Sequence, residues 1–344
     1  PLTCGMIGET EGWHYGFALA GIGMLVGLGV FYWGLKSGVF EDKGLEPAAQ
    51  KENLSANSRK DGVSVAKPPL FSRDSILVYL GTMAAIPLVY LLLHHSDILD
   101  YILLGISGGM ILYLFAFALQ QEKIQREQIF VIIVLFFFTA LFWTFFELAG
   151  SAISVFTKSN VDRHLFGSEI ATSAFQSVNP LFIIFLAPVF TWLWAVLAKK
   201  NSEPSAPLKF AIGVLLLGLG FIVLGMSDGF ATAGMVPIIF LILGYLLHTL
   251  GELCLSPVGL SLVTKLSPAQ LVGFVMGIWF LSSSVAHNIG KYIATETASD
   301  GLSAVDKLPI FTGVFYNVGL FALGASVLLF ALSPILKKWM HGIK

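Results

Sequence analysis

Residues 235–260 read MVPIIFLILGYLLHTLGELCLSPVGL, an apolar run long enough to cross a bilayer that carries one carboxylate, Glu252, in its interior. An acid in the middle of a membrane span costs roughly 2.5–3.5 kcal/mol on insertion scales. Chains tolerate such a residue mainly where it faces a helix bundle or a wet cavity and has a function there. The stretch therefore predicts a membrane helix with a functional acid.

A second lone acid, Glu147, lies in another apolar run, FWTFFELAG at 142–150. Two acids in two separate spans indicate protonation and cation binding inside a membrane. That chemistry is typical of a proton-coupled transporter.

The composition sets the class of protein. Of the 344 residues, 56% are hydrophobic and 12% are charged, whereas soluble domains carry about 25% charged residues. So few charges over this length predict an all-α polytopic membrane protein. The net charge of −1 gives no electrostatic support for a nucleic-acid partner. The two cysteines, Cys4 and Cys254, lie in or beside apolar segments, and we predict no disulfide, metal site or other cofactor.

Windowing at the roughly 20 residues that a bilayer requires predicts nine spans. They cover about 14–34, 75–95, 98–120, 129–156, 174–199, 207–227, 234–263, 269–295 and 310–336. The segment from Lys36 to Arg73 is rich in Lys, Glu, Asp, Ser and Pro, and we expect a partly disordered, soluble linker there.

The distribution of basic residues predicts the orientation. If the first span runs from outside to inside, most of the 20 basic residues fall on the cytoplasmic side. The opposite side holds Lys158, Arg163, Lys291, which is near a span end, and Lys307. The C-terminus is therefore expected in the cytoplasm. The N-terminus is then outside without a signal sequence, which we interpret as a chain that begins partway through a longer protein.

A polar stripe follows one face of the helix predicted at 234–263. Its members recur at spacings of three and four residues: Tyr245, His248, Thr249, Glu252 and Ser256. Such a stripe points toward a cavity or a partner helix. Helix–helix hydrogen bonding remains an equal alternative for Thr249 and Ser256, and His248 fits an interior histidine better than a functional one. Pro257 predicts a kink or an unwound turn near Glu252.

Three further side chains are candidates for a pocket. Trp143 precedes Glu147 by four residues, so its indole is expected one helical turn from the carboxylate, where it could help to cradle an ammonium group. Asn179 lies early in the next span, where its amide either faces the interior or caps the helix start. Trp279 lies mid-span, where a pocket wall and plain helix packing are both open.

Several of these segments resemble the proton-dependent oligopeptide transporter family, a branch of the major facilitator superfamily. The resemblance covers essentially the whole chain, and GELCLSPVGLS at 251–261 is its most specific motif. The other segments are GWHYGF at 12–17, FWTFFE at 142–147, FQSVNP at 175–180, KLSP at 265–268 and GFVMGIW at 273–279.

The resemblance implies a fold and a division of the chain. It implies a bacterial member with two extra helices between its halves, of which helices one to five are missing here. Residues 1–35 would be the sixth helix, at the end of the N-terminal bundle, and 36–73 a cytoplasmic linker. Residues 74–121 would form the two extra helices and 122–344 the C-terminal six-helix bundle.

The resemblance also implies roles for single residues. Glu252 would hold the amino terminus of a peptide with help from Asn179, and Glu147 would be the proton-coupling acid. The remaining peptide-site residues would be Trp143, Phe146 and Trp279 as walls of side-chain pockets and Ser256 as a polar neighbour. Leu148 stands where many bacterial members carry Gln, so pocket details that depend on that amide do not transfer.

The resulting hypothesis is proton-coupled symport of di- and tripeptides by alternating access, with no enzyme activity, in the bacterial inner (plasma) membrane. Its partners would be peptides, protons, membrane lipid and the missing N-terminal bundle. Alternatives are a major-facilitator carrier of another substrate, such as nitrate or peptide-like drugs, and a proton-translocating subunit of a respiratory complex. Such respiratory subunits usually rely on lysines within the membrane, and no lysine lies deep in a predicted span, which argues against that alternative. The 344 residues by themselves are expected to be one folded half without a transport cycle.

Overall fold

The computed structural model describes residues 2–39, 73–94, 96–165, 167–297 and 301–343. Eight helices in this part of the chain are long and apolar enough to cross a membrane, which confirms the prediction of an all-α polytopic membrane protein. The predicted span at 75–95 also falls on a helix, although its apolar stretch, Ile76–Leu91, is shorter than in the other eight. The predicted linker at 36–73 lies almost entirely outside the described residues.

The helices follow the predicted spans closely. In chain order they are α1 (Cys4–Thr10), α2 (Trp13–Lys36), α3 (Arg73–His94), α4 (Ser96–Leu119), α5 (Lys123–Phe146), α6 (Ala152–Asn160), α7 (Val178–Lys199), α8 (Ala206–Gly225), α9 (Ile238–Leu266), α10 (Val272–Thr295) and α11 (Ala304–Trp339). Turns of 3₁₀ helix cover Glu147–Gly150, Thr172–Ser177 and Ser227–Phe230. The strands are β1 (Val161–Asp162), β2 (His164–Leu165), β3 (Ser168–Glu169) and β4 (Val236–Pro237).

The chain divides into two units. One consists of residues 7–99 and includes α2 and α3. The described large apolar side chains of these two helices are mostly exposed, as expected for helices that meet lipid or other helices on every side. The other unit consists of residues 1–6 and 100–344, and it contains most of α4 and all of α5–α11.

Helix α8 is central in the larger unit and packs most extensively against α9 and α11. Glycines permit this close approach, because a Cβ at Gly213 would lie 2.9 Å from the carbonyl oxygen of Gly251 on α9. A Cβ at Gly225 would lie 2.7 Å from the backbone nitrogen of Tyr316 on α11. Membrane helices gain little from the hydrophobic effect, so small residues that bring backbones together are a main source of their packing energy.

One buried amide ties the loops at one end of this unit together. Asn160, at the end of α6, is fully buried, and its Nδ2 donates to the carbonyl oxygens of Gly234 at 2.9 Å and Ala304 at 2.7 Å. The next residues form β1, which pairs in parallel with β4. The side chain of Asn160 thus joins α6 to the starts of α9 and α11.

The Asn160→Ala substitution is expected to lower the thermal unfolding midpoint of the detergent-solubilised protein. It leaves the buried carbonyl group of Gly234 and the partly buried one of Ala304 without their donor, and the loss at a buried carbonyl group costs about 1–3 kcal/mol. Asn317→Ala is the matched control, because Asn317 is exposed on α11. Equal midpoints for the two variants would contradict the structural role of Asn160.

Candidate functional site

Glu252 on α9 is paired with an amide from the neighbouring helix α7. Nδ2 of Asn179 donates to Oε2 of Glu252 at 2.8 Å and contacts Oγ1 of Thr249 at 3.0 Å. Thr249 donates in turn to the carbonyl oxygen of Tyr245 at 2.7 Å. Ser177 holds the N-cap position of α7. Of the two interpretations of Asn179, the structure therefore supports the interior amide.

The Glu252 carboxylate retains room for a ligand. An ionised carboxylate has about four acceptor sites, and the amide of Asn179 uses one of them. The side chain is half-buried, as is that of Ser256 one turn further along α9. A cation with several N–H donors would complete the pairing of this carboxylate.

The helix around Glu252 is continuous, in contrast to the prediction of an unwound turn. Helix α9 runs from Ile238 to Leu266 with Pro257 inside it. Proline removes only one backbone donor, and the close packing of α9 on α8 at Gly213 and Gly251 holds the flanking turns in place.

The helix break occurs at the other acid. Helix α5 ends at Phe146, and Glu147 opens a 3₁₀ turn that reaches Gly150. Ser151 then leaves the helical region, with φ −121° and ψ −95°, before α6 begins at Ala152. The predicted span at 129–156 lies within one apolar span, Lys123–Asn160, which this turn interrupts at Glu147. The small residues that follow Glu147 were the available signal, since glycine and serine weaken a helix.

Glu147 has a partner that the sequence did not indicate. Nε2 of His287 on α10 lies 3.4 Å from Oε2 of Glu147. Both side chains border a cavity of about 640 Å³, which Lys291 and Thr295 of the same helix also line. Glu147 and Glu252 are near enough to interact electrostatically, so the structure brings the two predicted acids to one region.

The three predicted aromatic residues have different surroundings. Phe146 stacks on Phe142 with ring centroids 5.6 Å apart and meets the ring of Trp143 edge-on at 5.2 Å. Trp143 and Phe146 are half-buried. Trp279 is only 8% exposed and packs into the space above Gly259, where a Cβ would lie 2.2 Å from its ring. Trp143 and Phe146 therefore expose more of their surface to a ligand in this chain than Trp279 does.

His248 is an interior side chain, as the sequence favoured. It is 2% exposed, and its ring lies 4.6 Å from that of Phe221. A Cβ at Gly220 would lie 2.4 Å from the imidazole, so the ring fills the space that this glycine leaves.

A buried acid on α4 was missed. Asp100 is 6% exposed and accepts hydrogen bonds from three side chains of α10: Asn288, Lys291 at 2.5 Å and Tyr292 at 3.0 Å. Helices α4 and α10 are far apart in the sequence, and no pattern in either segment predicts that they become neighbours. Within the described ranges, no cluster of three or more His, Cys, Asp or Glu residues could hold a metal ion.

The apolar helices and the two interacting interior acids define a multi-pass membrane protein of the transporter class. The model of the POT family matches residues 1–307, and the chain belongs to this family. The resemblance to proton-dependent oligopeptide transporters is therefore confirmed.

Similar proteins of this family are described as peptide transporters. The chain is 36% identical over 315 residues to a peptide transporter of Yersinia enterocolitica. The matched region covers 90% of this chain and 60% of that transporter. It is 30% identical to the dipeptide and tripeptide permease B of Salmonella typhimurium over 98% of this chain and 65% of the permease. The chain thus spans somewhat less than two thirds of the length of these relatives.

Solved structures give the same result for the fold. A crystal structure of a POT peptide transporter in complex with sulfate matches with a TM-score of 0.73 and 30% sequence identity. The match covers 99% of this chain and 65% of that transporter. The fold is therefore that of the peptide transporters within the major facilitator superfamily, as predicted.

Proposed function

We propose that the full-length protein that contains this chain is a proton-coupled symporter of di- and tripeptides, and not an enzyme. The observation that carries the proposal is the half-buried Glu252 carboxylate, which Asn179 orients while leaving acceptor sites open. The peptide transporters to which the chain is similar support the choice of cargo.

In this proposal, Glu252 binds the peptide ammonium group. The carboxylate must be ionised to do so, and Nδ2 of Asn179 donates a hydrogen bond to its Oε2. Ser256 is the adjacent polar group on the same helix face. A carrier of varied peptides also needs walls that accept varied side chains, and Trp143, Phe146 and Trp279 are our candidates for them.

Glu147 is the proposed proton-coupling acid. Its position at the end of α5, in a 3₁₀ turn rather than in a regular helix, places a titratable group where the backbone is not held by a continuous ladder of hydrogen bonds. Alternating access then results if the protonated and ionised forms of Glu147 favour opposite openings of the two bundles.

The predicted division of the chain remains part of this proposal. Residues 1–35 would end the N-terminal bundle, 36–73 would lie in the cytoplasm, 74–121 would be the extra helical pair, and 122–344 would form the C-terminal bundle. We place the protein in a bacterial plasma membrane with the C-terminus in the cytoplasm, on the basis of the distribution of basic residues.

The proposal predicts that full-length protein in liposomes accumulates labelled dialanine when an inward proton gradient is imposed. A gradient of one pH unit stores about 1.4 kcal/mol per proton, which supports about tenfold accumulation at one proton per peptide. A protonophore should abolish the accumulation, and excess unlabelled dialanine should compete while excess nitrate should not. A folded protein without dialanine uptake would exclude the peptide cargo and leave a carrier of another substrate.

A further inference from the structure

We infer that His287 shares the coupling proton with Glu147, so that the C-terminal helices contain a proton-binding pair of their own. The inference rests on the proposed role of Glu147 and adds a second residue to it. It also separates proton binding from the peptide site, because His287 lies on α10 whereas Glu252 lies on α9.

The hydrogen-bond geometry fixes one proton on the imidazole. Nδ1 of His287 lies 2.8 Å from the carbonyl oxygen of Ser283, one turn earlier on α10. A carbonyl oxygen only accepts, so Nδ1 must carry hydrogen. In the neutral ring Nε2 is then a bare acceptor, and it is this atom that lies 3.4 Å from Oε2 of Glu147.

The approach of Nε2 to Oε2 becomes favourable when the pair binds one more proton. If Glu147 is ionised and His287 is neutral, two lone pairs face each other and the contact is unfavourable. One added proton gives either imidazolium with carboxylate or imidazole with carboxylic acid, and both forms are attractive. The pair thus binds a proton as a unit, and the proton leaves from the same pair without any covalent change.

Among the described residues around this cavity, His287 is the one whose side chain pairs with Glu147. Lys291 borders the same cavity, but Asp100 of α4 holds its ammonium group at 2.5 Å. The side chain of His287 is 60% exposed and that of Glu147 is 36% exposed, so water can deliver and remove the proton.

The first test is the pH dependence of dialanine uptake by the full-length protein in liposomes. His287→Gln removes one of the two proton acceptors of the pair, and we expect half-maximal uptake to shift to lower pH. His164→Gln is the matched control. Its ring also pairs with an acid, Asp162 at 2.9 Å, but lies in the short β2 strand outside the spans, and we expect no shift. Identical profiles for His287→Gln and the wild type would overturn the inference while leaving peptide symport intact.

The second test does not depend on transport. Histidine ring signals of the detergent-solubilised full-length protein are followed by NMR over a pH series, and the His287 signal is assigned by its loss in His287→Gln. Replacement of Glu147 by glutamine should change the Nε2 signal of His287, because this ring nitrogen loses its carboxylate partner. An unchanged Nε2 signal would overturn the inference even if the protein transports no peptide.

Discussion

Replacement of Glu252 by glutamine in the full-length protein is expected to weaken dialanine binding at least about 30-fold. Glutamine keeps the shape of the side chain and can still pair with Asn179, so the fold should persist. What is lost is the negative charge that faces the peptide ammonium group. Removal of one partner from a buried, hydrogen-bonded charge pair costs about 2–5 kcal/mol, and 1.4 kcal/mol corresponds to a factor of ten. Binding is measured by titration calorimetry on the purified protein.

The same titration includes a control variant and a control ligand. Glu296→Gln makes the same chemical change at an exposed acid just after α10, and it should bind dialanine like the wild type. N-acetylated dialanine lacks the ammonium group, so the wild type should bind it weakly and Glu252→Gln should no longer distinguish it from dialanine. A variant that still prefers the free amine as strongly as the wild type would assign the ammonium site to another residue.

The peptide-site acid could be predicted because the energetic cost of a carboxylate within an apolar run can be recognised from the sequence alone. Such a carboxylate indicates a function whatever the tertiary packing of the run. The position of Asn179 was open between two interpretations, and only the packing of α7 on α9 selected the hydrogen bond to Glu252. The helix bounds followed equally well from hydropathy, because a bilayer demands a long apolar segment for each crossing.

The environment of Glu147 could not be predicted in the same way. Its pairing with His287 joins residues on two helices that are distant in the chain, and no local pattern specifies which helices become neighbours. For the same reason, the contact between Asp100 and Lys291 could not be predicted from the sequence. The unwound turn that was one of the two predictions for Pro257 did not form, because tertiary packing along α9 keeps the helix continuous past the proline.

Replacement of Glu147 by glutamine is expected to abolish gradient-driven accumulation while peptide exchange continues. Glutamine has nearly the shape of a protonated glutamic acid and is neutral at every pH of interest, so the variant imitates the loaded carrier permanently. It can bind and exchange peptide but has no proton to release. At a gradient of one pH unit, the roughly tenfold accumulation available to a one-proton carrier should fall to equilibration.

Two liposome assays with the full-length protein separate coupling from binding. In the first, an inward proton gradient drives uptake of labelled dialanine. In the second, internal unlabelled dialanine exchanges with external label at equal pH. Glu147→Gln should fail only the first assay, whereas Glu252→Gln should fail both. Glu122→Gln, at the exposed start of the same helix α5, should pass both and controls for the charge change. Gradient-driven accumulation that persists in Glu147→Gln would remove this acid from the coupling mechanism, because no proton could then bind at its side chain.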